Sequence, residues 1–167
     1  DPTAIALSAT AINENAAGAV VGTLSTTDVD VGDSHEYTLS GTDASSFEVV
    51  NNQLKLKDSV TADYESKSTY AVTVTSTDSG SATTSESFTV TINDVNDDPT
   101  AIALSATAIN ENAAGAVVGN LSTTDVDAGD SHTYTLSGDD ASSFEVVNNQ
   151  LKLKDSVTAD YESKSTY

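Results

Sequence analysis

The chain has 167 residues, a formal net charge of −20 with 26 acidic against six basic residues, and no cysteine. This acidity argues against nucleic acid as a partner, because its phosphates require Lys or Arg, and the lack of cysteine excludes disulfides and thiolate metal sites. No stretch is long and apolar enough for direct membrane insertion, whereas bound cations are favoured because they reduce repulsion between carboxylates.

From the N-terminus onward, apolar and polar residues alternate in about seven short segments, and no useful stretch follows a helical period. Their apolar positions are, in order, Ile5 and Leu7; Val20 and Leu24; Tyr37 and Leu39; Phe47 and Val49; Leu54 and Leu56; Tyr70, Val72 and Val74; and Phe88, Val90 and Ile92. Turn-forming residues separate several of these segments, as at Asn51-Asn52. The pattern predicts an all-β fold, a seven-stranded Greek-key β-sandwich of the immunoglobulin-like type.

The sequence repeats itself without gaps at an offset of 97 residues, so that Pro2 recurs as Pro99 and Tyr70 as Tyr167. The copies differ at four positions, which are Thr23/Asn120, Val31/Ala128, Glu36/Thr133 and Thr42/Asp139. We therefore predict two tandem domains, residues 1–97 and residues 98–167. The second lacks counterparts of Ala71 to Asp97, its last two strands, and we expect the chain to be a fragment of a long array.

Acidic residues are concentrated in short motifs. The linker Asn93-Asp94-Val95-Asn96-Asp97-Asp98-Pro99 joins the copies, and Pro99 prevents a helix or a strand ladder from running through it. The other motifs are Asn13-Glu14-Asn15, Asp28-Val29-Asp30-Val31-Gly32-Asp33, Asp63-Tyr64-Glu65 and Asp78-Ser79-Gly80, of which the first three recur in the second copy. Carboxylates two residues apart lie on one side of an extended backbone, and a site built only from oxygen ligands favours calcium.

Two other interpretations of these residues are rejected. The motif at Asp28 is not an EF-hand loop, because its Gly comes one position early and no Glu occupies the twelfth place. Asp33-Ser34-His35 contains the residue types of a hydrolase triad, but three consecutive residues cannot act on one another as nucleophile, base and orienting acid. We predict that the protein is not an enzyme, and that His35 and His132 are exposed loop residues.

The motifs, in this order, resemble the cadherin repeat, which has x-E-x near its start, then D-x-D, D-x-E and D-x-G, and D-x-N-D before a proline at the boundary. The match covers residues 2–99 and the second copy as far as it extends. The Ala-, Ser- and Thr-rich composition is more similar to cadherin-like repeats of giant bacterial surface adhesins than to animal cadherins.

The resemblance implies calcium between successive repeats, with two to three Ca²⁺ ions at each junction. The residues it assigns to inter-repeat calcium are Glu14, Asp63, Glu65, Asp94, Asn96, Asp97, Asp98 (through its carbonyl), Asp125 and Asp127. It assigns Asp28, Asp30 and Asp78 to a junction before residue 1, and Glu111, Asp160 and Glu162 to one after the last residue. Divalent ions would offset the repulsion among so many neighbouring carboxylates.

The resemblance also implies an extracellular location, secreted or on the cell surface, and a structural role. The module would be a calcium-rigidified extender or adhesion domain in cell–cell or cell–surface attachment or in a biofilm matrix. Its partners would be adjacent identical repeats, with homophilic contacts or a surface or matrix polysaccharide. Two alternatives stay open: a self-assembling fibre subunit completed by strands from a neighbour, and a carbohydrate-binding module that uses Thr- and Ser-rich strand faces.

Overall fold

The computed structural model describes residues 1–167, which form two compact units, residues 1–96 (unit 1) and residues 97–167 (unit 2). Regular structure is almost entirely β, with single 3₁₀ turns at Ala44–Ser46 and Ala141–Ser143. The strands of unit 1 are β1 (Pro2–Leu7), β2 (Ala11–Asn13), β3 (Val20–Asp28), β4 (Glu36–Ser40), β5 (Phe47–Val50), β6 (Gln53–Leu56), β7 (Thr69–Thr77) and β8 (Thr83–Asn93). Those of unit 2 are β9 (Ala101–Leu104), β10 (Val117–Thr124), β11 (Phe144–Val147) and β12 (Gln150–Leu153).

Unit 1 is a sandwich of two four-stranded sheets, with strand orders β1-β3-β6-β5 and β2-β8-β7-β4. The inward side chains of both sheets form one buried core, which comprises Ile5, Ile12, Val21, Leu24, Phe47, Leu54, Leu56, Ala62, Val72, Val74, Val90 and Ile92. The all-β sandwich predicted from the sequence is therefore confirmed.

The long hairpin of β7 and β8 shows why alternation leads to this fold. Val72 and Val74 are buried, whereas Thr73 and Thr75, on the opposite face of β7, direct their hydroxyls to Ser87 and Ser85 of β8 at 2.9 and 2.8 Å. Successive strand residues point to opposite sides, so the apolar set faces the other sheet and the hydroxyl set faces solvent.

One strand of unit 1 was not predicted. β2 has only three residues and pairs in parallel with β8, with Ile12 opposite Ile92. A three-residue segment is too short to show an alternation of apolar and polar residues. Its partner strand also lies far along the chain, so no local pattern reveals the pairing. The other seven strands lie at the seven predicted segments.

Unit 2 contains one four-stranded sheet, with the order β11-β12-β10-β9 that matches β5-β6-β3-β1 of unit 1. Residues 108–110 and 133–137 repeat the sequences of β2 and β4, apart from Thr133, but form no strands. In unit 1 the corresponding strands β2 and β4 pair with β8 and β7 respectively. Unit 2 has no counterpart of β7 or β8. The burial of identical residues differs accordingly: Ile5 is 8% exposed and Ile102 is 68% exposed.

This difference leads to a matched prediction. We expect Ile5→Val to lower the free energy of unfolding by about 1 kcal/mol, since it removes a methylene group from a closed core. Ile102→Val, the same change at an exposed position, should leave that free energy within about 0.5 kcal/mol of the unmodified chain. Urea denaturation of both variants measures the two changes in the free energy of unfolding. Equal losses would show that Ile102, on the sheet of unit 2, is covered in solution.

Asp43 connects the start of β7 to the loop after β4. Its carboxylate accepts a hydrogen bond from the Ala71 N–H at 2.8 Å and another from the Lys67 ammonium, which lies 4.7 Å from the centre of the Tyr70 ring. The Lys67 hydrogen bond, followed by that from Ala71, lowers the pKa of Asp43 below its usual 3.8. In unit 2, Asp140 keeps the equivalent ion pair with Lys164, but no counterpart of Ala71 is present.

We therefore expect Asp43→Asn to lower the free energy of unfolding of unit 1 by about 1 kcal/mol at neutral pH. Because the folded-state pKa is depressed, this contribution is complete above the unfolded value of 3.8 and is lost as the pH falls through the folded value. Urea denaturation of the variant and the unmodified chain from pH 2 to pH 7 tests this. Asp140→Asn is the control, and it should lower the free energy of unfolding less, because Asp140 has no counterpart of the Ala71 hydrogen bond. A cost that stayed constant over the whole range would contradict the ionic origin.

Candidate metal centre

Glu14 is the most deeply buried carboxylate of the chain, with 3% of its surface exposed. It follows β2 directly, and the parallel pairing of β2 with β8 brings it beside the linker that leaves β8. Its Oε2 accepts a hydrogen bond from the Tyr64 N–H at 2.7 Å, and its Oε1 accepts one from the Val95 N–H at 2.8 Å. The side chain thus holds the D-x-E loop and the start of the linker in place.

Three carboxylates of unit 1 meet at this point. Glu14, Glu65 and Asp94 each offer an oxygen within 4.8 Å of the others. Three like charges at this spacing repel one another, so a cation would bind them favourably. Asp63, also assigned from the sequence, lies outside this cluster, and its two oxygens accept hydrogen bonds from the N–H and hydroxyl of Ser66 at 2.9 Å each. These bonds, the backbone one first, lower the pKa of Asp63.

Unit 2 begins with a second acidic group. The Asp97 N–H donates to Asp127 Oδ2 at 2.6 Å, and the Asp127 N–H donates to Asp125 Oδ1 at 3.2 Å. The other oxygen of Asp125, Oδ2, is buried without a hydrogen-bond partner, and His132 Nε2 lies 3.6 Å from it. An unsatisfied buried carboxylate oxygen is costly, and a divalent cation would satisfy it. The residues present therefore fit a hard metal ion.

The equivalent of Asp125 in unit 1 is Asp28, which joins Asp33 and Asp78 in a cluster of oxygens within 4.8 Å of one another. The Asp30 N–H, and after it the His35 ring, lower the pKa of Asp28 to about 2. Asp30, assigned from the sequence, is outside the cluster, with a side chain that is 66% exposed.

Asp33 was not among the predicted site residues. Its Oδ1 accepts a hydrogen bond from the Ser79 hydroxyl at 2.9 Å, which places it beside the D-x-G motif. The available signal was a third carboxylate five residues after Asp28, following a glycine that can turn the loop back on itself.

Both histidines lie in loops, as predicted, but the prediction that they are exposed is wrong. The side chains of His35 and His132 are only 14% and 24% exposed. His35 Nε2 lies 3.1 Å from Asp28 Oδ2. Each imidazole packs against the inner carboxylate of its D-x-D loop, an interaction that a local sequence pattern does not reveal.

The third cluster comprises Glu111, Asp160 and Glu162 of unit 2, which were assigned together from the sequence and have oxygens within 4.8 Å of one another. All three are exposed, and Glu111 accepts a hydrogen bond from the Tyr161 N–H at 3.0 Å, as Glu14 does from Tyr64. The two remaining assigned residues, Asn96 and Asp98, are exposed positions of the linker.

Unit 1 is thus a β-sandwich with acidic clusters at its loops and at the linker. The Cadherin domain model matches residues 8–93, more than half of the chain, and the chain therefore belongs to the cadherin domain family. No curated protein sequence matches the chain.

Solved structures show the same fold. The chain is 24% identical to human protocadherin-24 EC1-2 (form II), with a TM-score of 0.73, covering 98% of this chain and 81% of that one. It is 22% identical to mouse cadherin-23 EC22-24, with a TM-score of 0.61, covering 92% of this chain and 54% of that one.

Several general properties of the family bear on this chain. Cadherin domains are adhesion modules of extracellular proteins rather than enzymes, they bind calcium, and they mediate homophilic contacts. The structure contains no helix with the length and apolar character needed to cross a membrane.

Proposed function

We propose that this chain is a calcium-rigidified extracellular repeat that acts as a structural extender or adhesion module. The observation that carries the proposal is the buried Asp125 Oδ2, which has no hydrogen-bond partner and lies 3.6 Å from His132 Nε2. A calcium ion takes six to eight oxygen ligands, and the chain offers carboxylate, amide and carbonyl oxygens but no thiolate.

The ligands proposed for the central ions come from both units. Unit 1 contributes Glu14, Glu65 and Asp94, whose oxygens already lie together, and unit 2 contributes Asp97, Asp125 and Asp127. We propose Asp63, Asn96 and Asp98 as further ligands, which would complete the coordination of two to three ions. Calcium would supply the positive charge that these carboxylates lack and would coordinate Asp125 Oδ2, which has no hydrogen bond.

The connection between the ligand sets is short, since Asp94 and Asp97 are three residues apart. Ions bound by residues on both sides of Asn96 would restrict rotation about the linker, so that binding energy becomes energy for a fixed arrangement of the units. Without calcium, mutual repulsion of the carboxylates would leave the linker flexible. The core of unit 1 would stay folded, because the proposed ligands lie outside it and only Glu14 adjoins it.

The role that follows is a length-setting and adhesive one in cell–cell or cell–surface attachment or in a biofilm matrix, as in the repeats of large bacterial surface adhesins. Copies that differ at four positions suit an array of equivalent spacers better than a set of individually specialised binding sites. Adjacent repeats are the first partners, and homophilic contacts or a surface polysaccharide would supply adhesion.

A carbohydrate-binding role is a second candidate, favoured by the hydroxyl-bearing outer face of β7 and β8. Thr73, Thr75, Ser85 and Ser87 form hydrogen-bonded pairs on this face, and the face has no aromatic residue on which a sugar could stack. Saturable retention on a polysaccharide, lost on Thr75→Val with Ser85→Ala, would favour this role over that of a spacer.

Calcium titration by calorimetry tests the main proposal. We expect saturable binding with a dissociation constant between about 10⁻⁴ and 10⁻³ M, the range of extracellular calcium-binding modules. Asp94→Asn and Asp127→Asn should each remove at least one ion from the stoichiometry, whereas Asp58→Asn, outside all clusters, should not. An absence of binding heat at several temperatures, or equal binding by all three variants, would overturn the proposal.

A further inference from the structure

One side of β8, the longest strand of unit 1, is mostly unpaired. β7 pairs with β8 along residues 83–91, but on the other side β2 pairs only with residues 91–93. The Thr91 N–H donates to Thr10 O at 2.8 Å, toward β2, whereas the Ile92 N–H donates to Ser68 O at 2.9 Å, toward β7. Because this direction alternates along a strand, the residues whose backbone groups face the open side are Thr83, Ser85, Ser87 and Thr89.

This open edge of β8 (residues 83–89) fits the same edge of a second copy of the chain. The four residues that face it are exposed, and each has one N–H and one C=O to offer. Two such edges can pair antiparallel about a twofold axis, with Ser85 opposite Ser87 and Thr83 opposite Thr89. Exposed edges of this kind are templates for pairing with another chain.

The other edge strands of unit 1 have features that oppose such pairing. β1 begins at Pro2 and has a register shift between Pro2 and Ala4. β4 and β5 have only five and four residues. Proline, irregular register and short length are common ways to protect an edge. β8 has none of these features, since it has 11 residues, no proline and a continuous register with β7, and its one charged side chain is that of Glu86.

Glu86 lies in the middle of the open edge. It is opposite Val74 in the pairing of β8 with β7, so both side chains are on the core-facing side of the sheet. Val74 is fully buried, whereas Glu86 is exposed. In the twofold pairing of two edges, Glu86 of one copy would lie opposite Glu86 of the other. Like charges in opposite positions are destabilising, and covering a carboxylate costs further free energy.

We propose that Glu86 keeps the β8 edges of two copies of this chain apart, and that the same edge without this charge is a surface for antiparallel pairing of copies. An inward-facing charge on an edge strand is a known protection against such pairing. The inference goes beyond the proposed function and does not rest on calcium binding, because no proposed ligand lies within residues 83–89.

Sedimentation velocity and hydrogen exchange on the 167-residue chain in EDTA test this inference. We expect the unmodified chain to be monomeric and Glu86→Thr to dimerise, with an association constant raised roughly tenfold or more. In the dimer, the N–H groups of the four residues that face the open edge should exchange roughly tenfold more slowly. Those of Thr84 and Phe88, which face β7, should not change. This alternation distinguishes edge pairing from other modes of association.

Three further variants serve as controls. Asp139→Thr removes the same charge at an exposed turn position, where the first copy has Thr42, and should stay monomeric. Glu86→Lys changes the net charge twice as much as Glu86→Thr, yet it should stay monomeric because two opposed lysines also repel. Adding Ser87→Pro to Glu86→Thr should restore the monomer, because it removes an N–H that faces the open edge.

Each other outcome overturns the inference. A monomeric Glu86→Thr variant at all concentrations would show that the charge of Glu86 is not what keeps the edges apart. A dimer without the alternating protection would use another surface. Equal association of Asp139→Thr or Glu86→Lys would make the loss of net negative charge the cause. A dimer of the unmodified chain with its β8 edge protected from exchange would show that Glu86 does not prevent pairing.

Discussion

Calcium at about 100 times its dissociation constant is expected to raise the free energy of unfolding of unit 1 by about 2.7 kcal/mol for one bound ion. The ion would bind Glu14, Glu65 and Asp94 only while the fold holds their oxygens within 4.8 Å, and the unfolded chain separates them. For a domain of about 100 residues, this corresponds to a rise in Tm of roughly 10–20 °C. Differential scanning calorimetry in calcium and in EDTA measures it directly.

The matched control for this prediction is Asp94→Asn, because Asp94 is exposed and its replacement should leave the Tm in EDTA unchanged. In calcium the variant should lose most of the rise. Magnesium at the same concentration should raise the Tm less, since it demands octahedral geometry and keeps its water ligands. A calcium effect of full size in Asp94→Asn would show that the stabilising ion binds elsewhere.

Glu14→Ala is expected to lower the free energy of unfolding of unit 1 by about 2–4 kcal/mol in EDTA, where no ion contributes. The substitution removes a carboxylate that is 3% exposed and leaves the N–H groups of Tyr64 and Val95 without their acceptor. Urea denaturation in EDTA isolates this structural cost from the loss of a calcium ligand.

The second copy supplies the control for Glu14→Ala. Glu111 occupies the same sequence position, but it is exposed and has one such hydrogen bond, from the Tyr161 N–H at 3.0 Å. Glu111→Ala should therefore cost less than about 1 kcal/mol. If both substitutions cost the same, the backbone hydrogen bonds of Glu14 would not be the source of its contribution.

The strand pattern was predictable wherever burial follows the chain locally. Val72 and Val74 alternate with Thr73 and Thr75, and the structure buries the first pair and exposes hydroxyls of the second to solvent. β2 was not predictable in this way, because a three-residue strand is defined by its partner in β8 and not by its own period.

The clearest limit of sequence patterns lies in the repeat itself. Residues 11–13 and 108–110 have the same sequence, yet only the first forms a strand. The difference is the presence of β8 beside one of them. Strand formation here is a property of long-range pairing, which no window of the sequence contains.

The acidic motifs were partly predictive of the arrangement of carboxylates. Glu14, Glu65 and Asp94 are brought together although 80 residues separate the first from the last, because β2 and β8 are neighbours. The environments of Asp63 and His35 were not predictable, since each depends on a specific hydrogen bond, to Ser66 and to Asp28 respectively. The assignment of calcium ligands stays a prediction.

The most direct test of calcium rigidification is a distance measurement between the units. The chain has no cysteine, so Thr89→Cys and Ser122→Cys, at exposed positions of β8 and β10, would carry two spin labels. Pulsed electron spin resonance should give a narrow distance distribution in calcium and a broad one in EDTA, and a broad one in both when Asp127→Asn is added. A distribution of the same width with and without calcium would contradict the proposal that ions fix the junction.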